Sequence, residues 1–296
     1  MSPAAPTLAV LAHEADGFWS ENRLVHLLIA RWEAAGWRTR LVTDPDDSAP
    51  ADIAILHVSL SVVPESLRRL ADRYPRTINR QVLDIRKRSY SRLRVGPEGP
   101  DPGPVIVKTD ANAGGWRELR GAFLSTAPGR LLARVDPRAR FYGHALRLES
   151  LRPWHARRVP RFRGYVVYPR RDLVPEGVWR NPHLVVERLA AERDGDRYVC
   201  RHWLFLGSRE VMRRTRSPEP VVKFRGVMER TDDPVPDELR RVRTRMGFDY
   251  GKFDYGIVDG EVVLYDVNRT PGAAADPRVH VVTVDALAPG LDDFLA

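Results

Sequence analysis

The sequence has 296 residues, of which 43% are hydrophobic, and carries a formal net charge of +9. This length allows two or three packed units, and the hydrophobic content predicts a globular fold. No apolar run reaches the roughly 18 residues that a membrane span needs, and the N-terminus lacks the regions of a signal peptide. The single cysteine, Cys200, excludes an internal disulfide and is predicted to be a buried bystander, so we expect a cytoplasmic protein.

The basic charge has two interpretations. It indicates either an arginine-rich solvated surface or attraction for an anionic partner such as ATP, a carboxylate or a nucleic acid. Residues 152–163 interleave aromatic and basic side chains, as nucleic-acid-binding segments do, but they contain no recognisable RNA- or DNA-binding motif. We therefore do not expect nucleic acid to be the primary partner.

The first part of the chain alternates strand-like and helix-like patterns. Apolar runs predict strands, and a 3.6-residue period predicts helices. The predicted strands are 7–13, 37–43 and 52–58, and the predicted helices are 22–36 and 65–74. This alternation is typical of an open α/β unit with a mainly parallel sheet, which we expect to extend to about residue 95.

The pattern changes after a turn-rich linker at residues 97–104. Strands now dominate, with a helix expected at 116–124. The predicted strands are 105–107, 165–168, 184–187, 198–206 and a closing hairpin. The second part is therefore predicted to be α+β, and its Pro/Arg-rich segment at 150–182 has no clear periodicity.

The closing hairpin carries the most informative polar residues. Asp254 lies on its first strand, an Asp-Gly turn follows, and Asp266 and Asn268 lie on the second strand. Residues two apart on a strand project from the same face. Two carboxylates and a carboxamide suit a hard cation such as Mg²⁺, which indicates metal-assisted phosphate chemistry.

Two lysines are candidates for phosphate binding. Lys108 follows a predicted strand and precedes a loop with Gly114 and Gly115, so its ammonium and the loop N–H groups could hold phosphate. A simple turn explains this loop equally well, and it does not match the Walker pattern. Lys87 lies in a basic stretch. It either belongs to an exposed basic helix face or is a second lysine that binds phosphate.

A second candidate region begins where a predicted strand breaks into a loop at Glu187, Arg188, Leu189 and Ala190. Unpaired backbone groups at such a hinge could bind an adenine edge. Glu192 could accept hydrogen bonds from ribose hydroxyls, or it could be a surface charge.

The next predicted strand contains Arg201 and His202 on opposite faces. Arg201 is either a structural residue stacked between aromatic neighbours or a group that faces an anion. His202 is expected to be a core or surface histidine and not a catalytic base.

Together these features resemble the ATP-grasp superfamily of ATP-dependent carboxylate ligases over roughly residues 80–275, and the hairpin is the most specific part. In the glutamate-ligase branch of that superfamily, an acidic metal ligand precedes an acidic-x-Asn pair by one hairpin. Here Asp254 precedes Asp266 by twelve residues, and Asn268 completes the pair. Asp266 stands where glutamate is usual, and the loop at 113–115 contains fewer glycines than in many relatives.

The resemblance implies an N-terminal α/β domain at 1–95, followed by an α+β ATP-grasp fold whose lid subdomain (96–182) and C-terminal subdomain (183–296) clamp ATP. It implies that the hairpin triad holds Mg²⁺ or Mn²⁺ on the ATP phosphates. It also implies that Lys87 and Lys108 contact phosphates and that the Glu187–Ala190 hinge receives adenine.

The expected activity is therefore an ATP-dependent carboxylate-amine ligase that forms an amide through an acylphosphate. Its partners would be small-molecule or peptide carboxylates and amines. Arg201, Lys223 and Arg269 are the basic residues best placed by sequence to hold a carboxylate and neutralise the acylphosphate, although each could instead be a surface residue. The alternatives are a phosphotransferase that acts on a hydroxyl and a non-catalytic nucleotide-binding protein.

Overall fold

The computed structural model describes residues 5–47, 49–135, 148–159, 165–222, 227–274 and 276–295. The β-strands in this part of the chain are β1 (Thr7–Leu11), β2 (Arg38–Val42), β3 (Ile53–Leu56), β4 (Thr77–Ile78), β5 (Val105–Thr109), β6 (Val166–Tyr168), β7 (Leu184–Arg188), β8 (Glu192–Asp194), β9 (Arg197–Leu206), β10 (Arg209–Ser217), β11 (Val227–Thr231), β12 (Tyr250–Val258) and β13 (Glu261–Asn268). The α-helices are Leu24–Ala34, Glu65–Ala71, Lys87–Tyr90, Trp116–Leu124, Ala127–Val135, Glu176–Trp179, Asp237–Met246 and Val281–Leu287. None of the described helices is long and apolar enough to cross a membrane.

The chain forms two compact units. One unit contains residues 1–84 and 191–296, and the other contains residues 85–190. The chain therefore changes unit at 84 and 190, whereas the division expected from the sequence has boundaries at 95 and 182. That three-part division stays a prediction.

A four-stranded parallel sheet forms the first part of the larger unit, with strand order β2-β1-β3-β4. Its central strands, β1 and β3, are almost completely buried because both faces are covered, as is usual for parallel sheets. The helix Leu24–Ala34 contributes Leu24, Leu28 and Trp32 to the core beside β1. The predicted α/β unit is confirmed.

A second sheet belongs to the same unit and is antiparallel. Its strand order is β11-β10-β9-β12-β13, and β8 pairs with β9. Leu204, Leu206, Val211 and Tyr250 from this sheet pack in the same hydrophobic cluster as Leu8 of β1. This shared core explains why the last hundred residues join the N-terminal part in one unit.

The smaller unit contains a three-stranded antiparallel sheet with strand order β6-β5-β7. Its core includes Val105 and Val107 of β5, Leu184 and Val186 of β7, and Val178 of the short helix Glu176–Trp179. Together with the antiparallel sheet of the larger unit, it confirms the predicted α+β second part.

Asn79 connects the parallel sheet to the start of β12. It is fully buried, has a positive φ of 64°, and its amide nitrogen donates to the carbonyl of Tyr250 at 2.8 Å. Its amide oxygen accepts from the backbone N–H groups of Asp249 and Tyr250, both at 3.0 Å.

Asn79→Ala should lower the free energy of unfolding by about 2–4 kcal/mol, because it leaves several buried backbone groups without partners. Chemical denaturation measures this change. Asn22→Ala is the matched control, since Asn22 is exposed. If Asn79→Ala lowers the free energy of unfolding no more than Asn22→Ala does, the Asn79 side chain does not stabilise the position of β12.

Candidate active site

The β12–β13 hairpin is built by alternating side chains and a tight turn. Asp259 and Gly260 adopt φ values of 52° and 81°, which the type I′ turn between paired strands requires. The register places Asp254 opposite Asp266 and Lys252 opposite Asn268, and a bulge follows Asp254. Residues directly opposite one another on paired strands share a face, so these four side chains lie on one face of the sheet.

Asp254 has two close partners on this face. Its Oδ1 lies 2.6 Å from His202 Nδ1, and its Oδ2 lies 2.8 Å from Lys252 Nζ. Burial alone would raise the pKa of Asp254, but the nearby charges of Lys252 and His202 and their hydrogen bonds outweigh it and hold the pKa well below its usual range. Asp254 is therefore a carboxylate.

Lys252 is partly buried, with 21% of its side chain exposed. Burial favours the neutral amine, but Asp254 and then Asp266 stabilise the ammonium and raise the pKa of Lys252 above its ordinary value. The Lys252 ammonium thus lies among the predicted metal ligands.

Asn268 ends the acidic face. Its Oδ1 accepts from the backbone N–H of Thr270 at 2.8 Å, which orients the carboxamide. Asp254, Asp266 and Asn268 together supply only oxygen donors, and the two carboxylates balance the charge of a dication. This donor set fits a hard divalent cation, provided that Lys252 yields its contact with Asp254.

Arg201 and Glu192 bind each other. Arg201 Nη2 lies 2.7 Å from Glu192 Oε1, and Arg201 Nη1 lies 2.6 Å from Asp233 Oδ2. Hydrogen bonding to Glu192 is the main cause that raises the pKa of Arg201. Glu192 Oε2 also accepts from the backbone N–H of Ile257 at 2.8 Å. These contacts fix β8, β9 and β12 together, and the predicted roles of both residues toward ligands stay predictions.

Arg269, directly after Asn268, is fully buried. Its guanidinium donates to the backbone carbonyls of Val58, Leu60 and Val82. It therefore holds the end of β13 against the loop that follows β3. Lys223, the third predicted substrate cation, lies outside the described residues.

A polar chain continues this connection at the carboxyl ends of β1 and β3. The Asp16 carboxylate accepts from the backbone N–H of Ser59 at 3.1 Å, and Arg23 donates to the Ser59 hydroxyl. Ser59 Oγ lies 3.3 Å from Thr270 Oγ1. The segment after Asn268 is thus tied to the edge of the parallel sheet where ligands of open α/β folds bind.

His57 lies at the same edge and is 1% exposed. Among the described residues, neither of its ring nitrogens has a hydrogen-bond partner, and the Tyr250 hydroxyl also lacks one. Burial, followed by the charge of Arg23, lowers the pKa of His57 well below 6.5. The folded protein therefore keeps this ring neutral.

This neutral ring predicts a specific acid sensitivity. In the unfolded chain His57 takes up a proton below its ordinary pKa of about 6.5, whereas the folded protein resists that proton. Stability should therefore decline as the pH falls below about 6.5. His57→Phe should flatten this part of a plot of melting temperature against pH. Parallel curves for the two proteins would show that His57 does not cause the decline.

The smaller unit holds the predicted phosphate lysines. Lys108 Nζ lies 2.6 Å from Glu187 Oε2, and both side chains are buried. The β5–β7 register, with Ile106 opposite Glu187, places these two side chains diagonally on one face. Lys87 is 5% exposed, so the alternative of an exposed helix face for Lys87 is wrong.

The loop after β5 has an unusual backbone. Ala113, Gly114 and Gly115 have φ values of 47°, 73° and 79°, and the helix Trp116–Leu124 follows directly. A run of left-handed residues can point several N–H groups to one side, which suits an anion. The predicted role of Gly114 and Gly115 is compatible with this conformation.

The hinge after β7 differs from its prediction in one respect. The backbone N–H groups of Arg188, Leu189 and Ala190 donate to the carbonyls of Leu93 (2.8 Å), Pro104 (2.8 Å) and Arg188 (3.0 Å). The expectation of unpaired N–H groups is therefore wrong for these three residues, because neighbouring segments satisfy them. Adenine binding at Glu187–Ala190 stays a prediction.

Comparison with known proteins gives the fold. The sequence matches no protein-family model, and no curated protein matches it. Among solved structures, the ATP-grasp ligase PsnB, complexed with a minimal precursor, aligns with a TM-score of 0.51 and 11% identity, over 99% of this chain and 98% of PsnB. The chain has the ATP-grasp fold.

Two further solved structures align with the chain. The RimK domain protein of Sphaerobacter thermophilus DSM 20745 has a TM-score of 0.48 and 13% identity, with 98% of this chain and 99% of that chain covered. The D-alanine–D-alanine ligase of Bacillus anthracis has a TM-score of 0.46 and 9% identity, with 99% and 96% covered.

Within this ATP-grasp fold, sequence reasoning missed Lys252 and the position of His202. Lys252 lies two residues before Asp254, so strand alternation alone places it on the acidic face. His202 was placed on the correct face of β9, but only the β9–β12 register brings it opposite Asp254.

Proposed function

We propose that this chain is an ATP- and Mg²⁺-dependent ligase that joins a carboxylate to an amine. The observation that carries the proposal is the pair Asp254 and Asp266, which face each other on the hairpin of an ATP-grasp fold with Asn268 beside them. The substrates would be small molecules or peptides. The name of PsnB, an ATP-grasp ligase solved with a minimal precursor, supports the ligase activity.

The proposal assigns the nucleotide to specific residues. Lys87, Lys108 and the loop at Gly114 and Gly115 would bind the phosphates, and the Glu187–Ala190 hinge would bind adenine. Lys108 already contacts Glu187, so it would bind phosphate as one member of an ion pair. Glu192 is proposed at the ribose, where it would have to keep or exchange its contact with Arg201.

Asp254, Asp266 and Asn268 would hold Mg²⁺, or Mn²⁺, which neutralises charge on the phosphates. Lys223 is the proposed cation for the carboxylate substrate and the acylphosphate. Arg201 and Arg269 would act on the substrate indirectly, as positioning residues, because their guanidinium groups are bound to protein oxygens.

The reaction would have two steps. A carboxylate oxygen attacks the γ-phosphorus of ATP, and ADP leaves with the bonding electrons. The amine nitrogen then attacks the acyl carbon, phosphate leaves, and the nitrogen loses a proton. Catalysis by such a site consists of positioning and charge neutralisation, so no protein nucleophile is required.

The test is ADP release screened over amino acids, peptides and hydroxy acids, with mass spectrometry of the products and hydroxylamine as a trap. We expect a hydroxamate and one ADP per hydroxamate, because hydroxylamine intercepts an acylphosphate. An acceptor that keeps the phosphate as a stable ester would show a phosphotransferase instead. Nucleotide binding without turnover on any acceptor would favour a non-catalytic protein.

A further inference from the structure

Three side chains of the larger unit can reach one point. Cys200, His202 and Asp254 each offer a ligand atom, and these atoms all lie within 4.8 Å of one another. Alternation along β9 puts Cys200 and His202 on one face, and the β9–β12 register puts Asp254 opposite His202. We propose that these side chains form a binding site for a thiophilic divalent cation of the zinc class.

The donor set selects the metal. A thiolate, an imidazole nitrogen and a carboxylate oxygen are the ligands of zinc, whereas Mg²⁺ prefers oxygen alone. Cys200 Sγ lies 4.0 Å from His202 Nδ1, which lies 2.6 Å from Asp254 Oδ1. Tetrahedral zinc with ordinary bond lengths separates such atoms by about 3.3–3.6 Å. The ligand atoms of Cys200 and Asp254 lie within 4.8 Å of each other. Side-chain shifts on the order of 1 Å would therefore bring all three atoms to these separations.

Thr215 supports the histidine. It is the register partner of Cys200 on β10, and its Oγ1 lies 2.9 Å from His202 Nε2. A metal bound at Nδ1 requires the ring proton to be on Nε2. There the N–H group can donate a hydrogen bond to the Thr215 hydroxyl oxygen. Hydrogen bonds of this kind orient metal-binding histidines.

The charges also balance. Burial raises the pKa of the Cys200 thiol, so the metal has to displace the thiol proton to solvent. The proton of the hydrogen bond between His202 Nδ1 and Asp254 must also leave Nδ1. The resulting thiolate, together with the Asp254 carboxylate, would neutralise a dication. Lys252 opposes binding, because its ammonium lies 2.8 Å from the other oxygen of Asp254. The charge of Asp266 also stabilises this ammonium, so Asp266 offers a second carboxylate when a metal binds Asp254. We therefore expect the Lys252 ammonium and the metal to compete for Asp254.

Cobalt provides a direct test, because a thiolate bound to Co²⁺ gives a charge-transfer absorption band. Cys200 is the only cysteine of the chain, so any such band reports on this residue. We expect the band when Co²⁺ is added to the full chain without nucleotide and magnesium, and we expect Zn²⁺ to abolish it. The result does not depend on the proposed ligase activity.

Four variants and a control complete the test. Cys200→Ser should remove the band, and His202→Gln and Asp254→Asn should each weaken Co²⁺ binding about tenfold or more. Lys252→Met should tighten it, which a merely structural lysine would not do. Asp259→Asn, at the hairpin turn, should bind like the wild type. No band for the folded wild-type protein at saturating Co²⁺ would overturn the proposal, as would a band that His202→Gln and Asp254→Asn leave unchanged in affinity.

Discussion

Asp266→Asn should reduce magnesium-dependent ADP release on the order of 10²–10⁴-fold, because a carboxylate that holds the metal on the phosphates contributes several kcal/mol to transition-state stabilisation. Asp266 is a sharper choice than Asp254 for this test. Asp254 contacts both His202 and Lys252, so its substitution would remove contacts within β12 and between β9 and β12 together with any metal site. Steady-state ADP release with a saturating carboxylate and amine measures the effect.

Asp259→Asn is the matched control for this prediction. Asp259 lies on the same hairpin, is exposed and has a φ of 52°, a conformation that asparagine tolerates well. It should keep wild-type turnover. MgATP should raise the melting temperature of the wild type and of Asp259→Asn more than that of Asp266→Asn. Turnover of Asp266→Asn within about threefold of the wild type would remove Asp266 from the metal site.

The sequence predicted most elements of the fold because the signals are local. The apolar run at residues 7–13 became β1, and the Asp-Gly pair became the turn at Asp259 and Gly260. Strand pairings far apart in sequence leave no such signal. The packing of β9, β10 and β12 on the core beside β1 places residues 191–296 with the N-terminal part, and no local pattern indicates this.

The same distinction between local and long-range signals applies to the candidate active site. Alternation placed Asp266 and Asn268 on one face, and it could also have placed Lys252 there. The partners of Arg201 could not be predicted, because they come from different segments. Glu192 meets Arg201 only after β8 pairs with β9, and Asp233 follows β11, which joins the sheet through β10. Similarly, Arg269 directly follows Asn268 in sequence, but its guanidinium binds carbonyls about 190–210 residues earlier.

The contacts of Arg269 show which of its two possible roles dominates. A buried guanidinium that donates to three backbone carbonyls satisfies groups that water cannot reach. Val58 and Val82, which supply two of these carbonyls, are themselves buried. Because Arg269 follows Asn268 directly, the same hydrogen bonds fix the end of β13 and with it the position of the carboxamide. The residue should therefore affect stability first and turnover through the geometry of β13.

Arg269→Met should lower the free energy of unfolding by about 3–5 kcal/mol, since methionine fills much of the space but leaves the carbonyls of Val58, Leu60 and Val82 without donors. Denaturant titration measures the change. Arg278→Met is the control, because the Arg278 side chain is 86% exposed and its loss should cost less than about 1 kcal/mol. If Arg269→Met unfolds at the wild-type midpoint yet loses turnover, the structural role is wrong and Arg269 acts on the substrate. The structural role is supported if Arg269→Met unfolds at a lower denaturant concentration than the wild type and the folded variant, without denaturant, still forms hydroxamate. The guanidinium then serves to hold β13 in place.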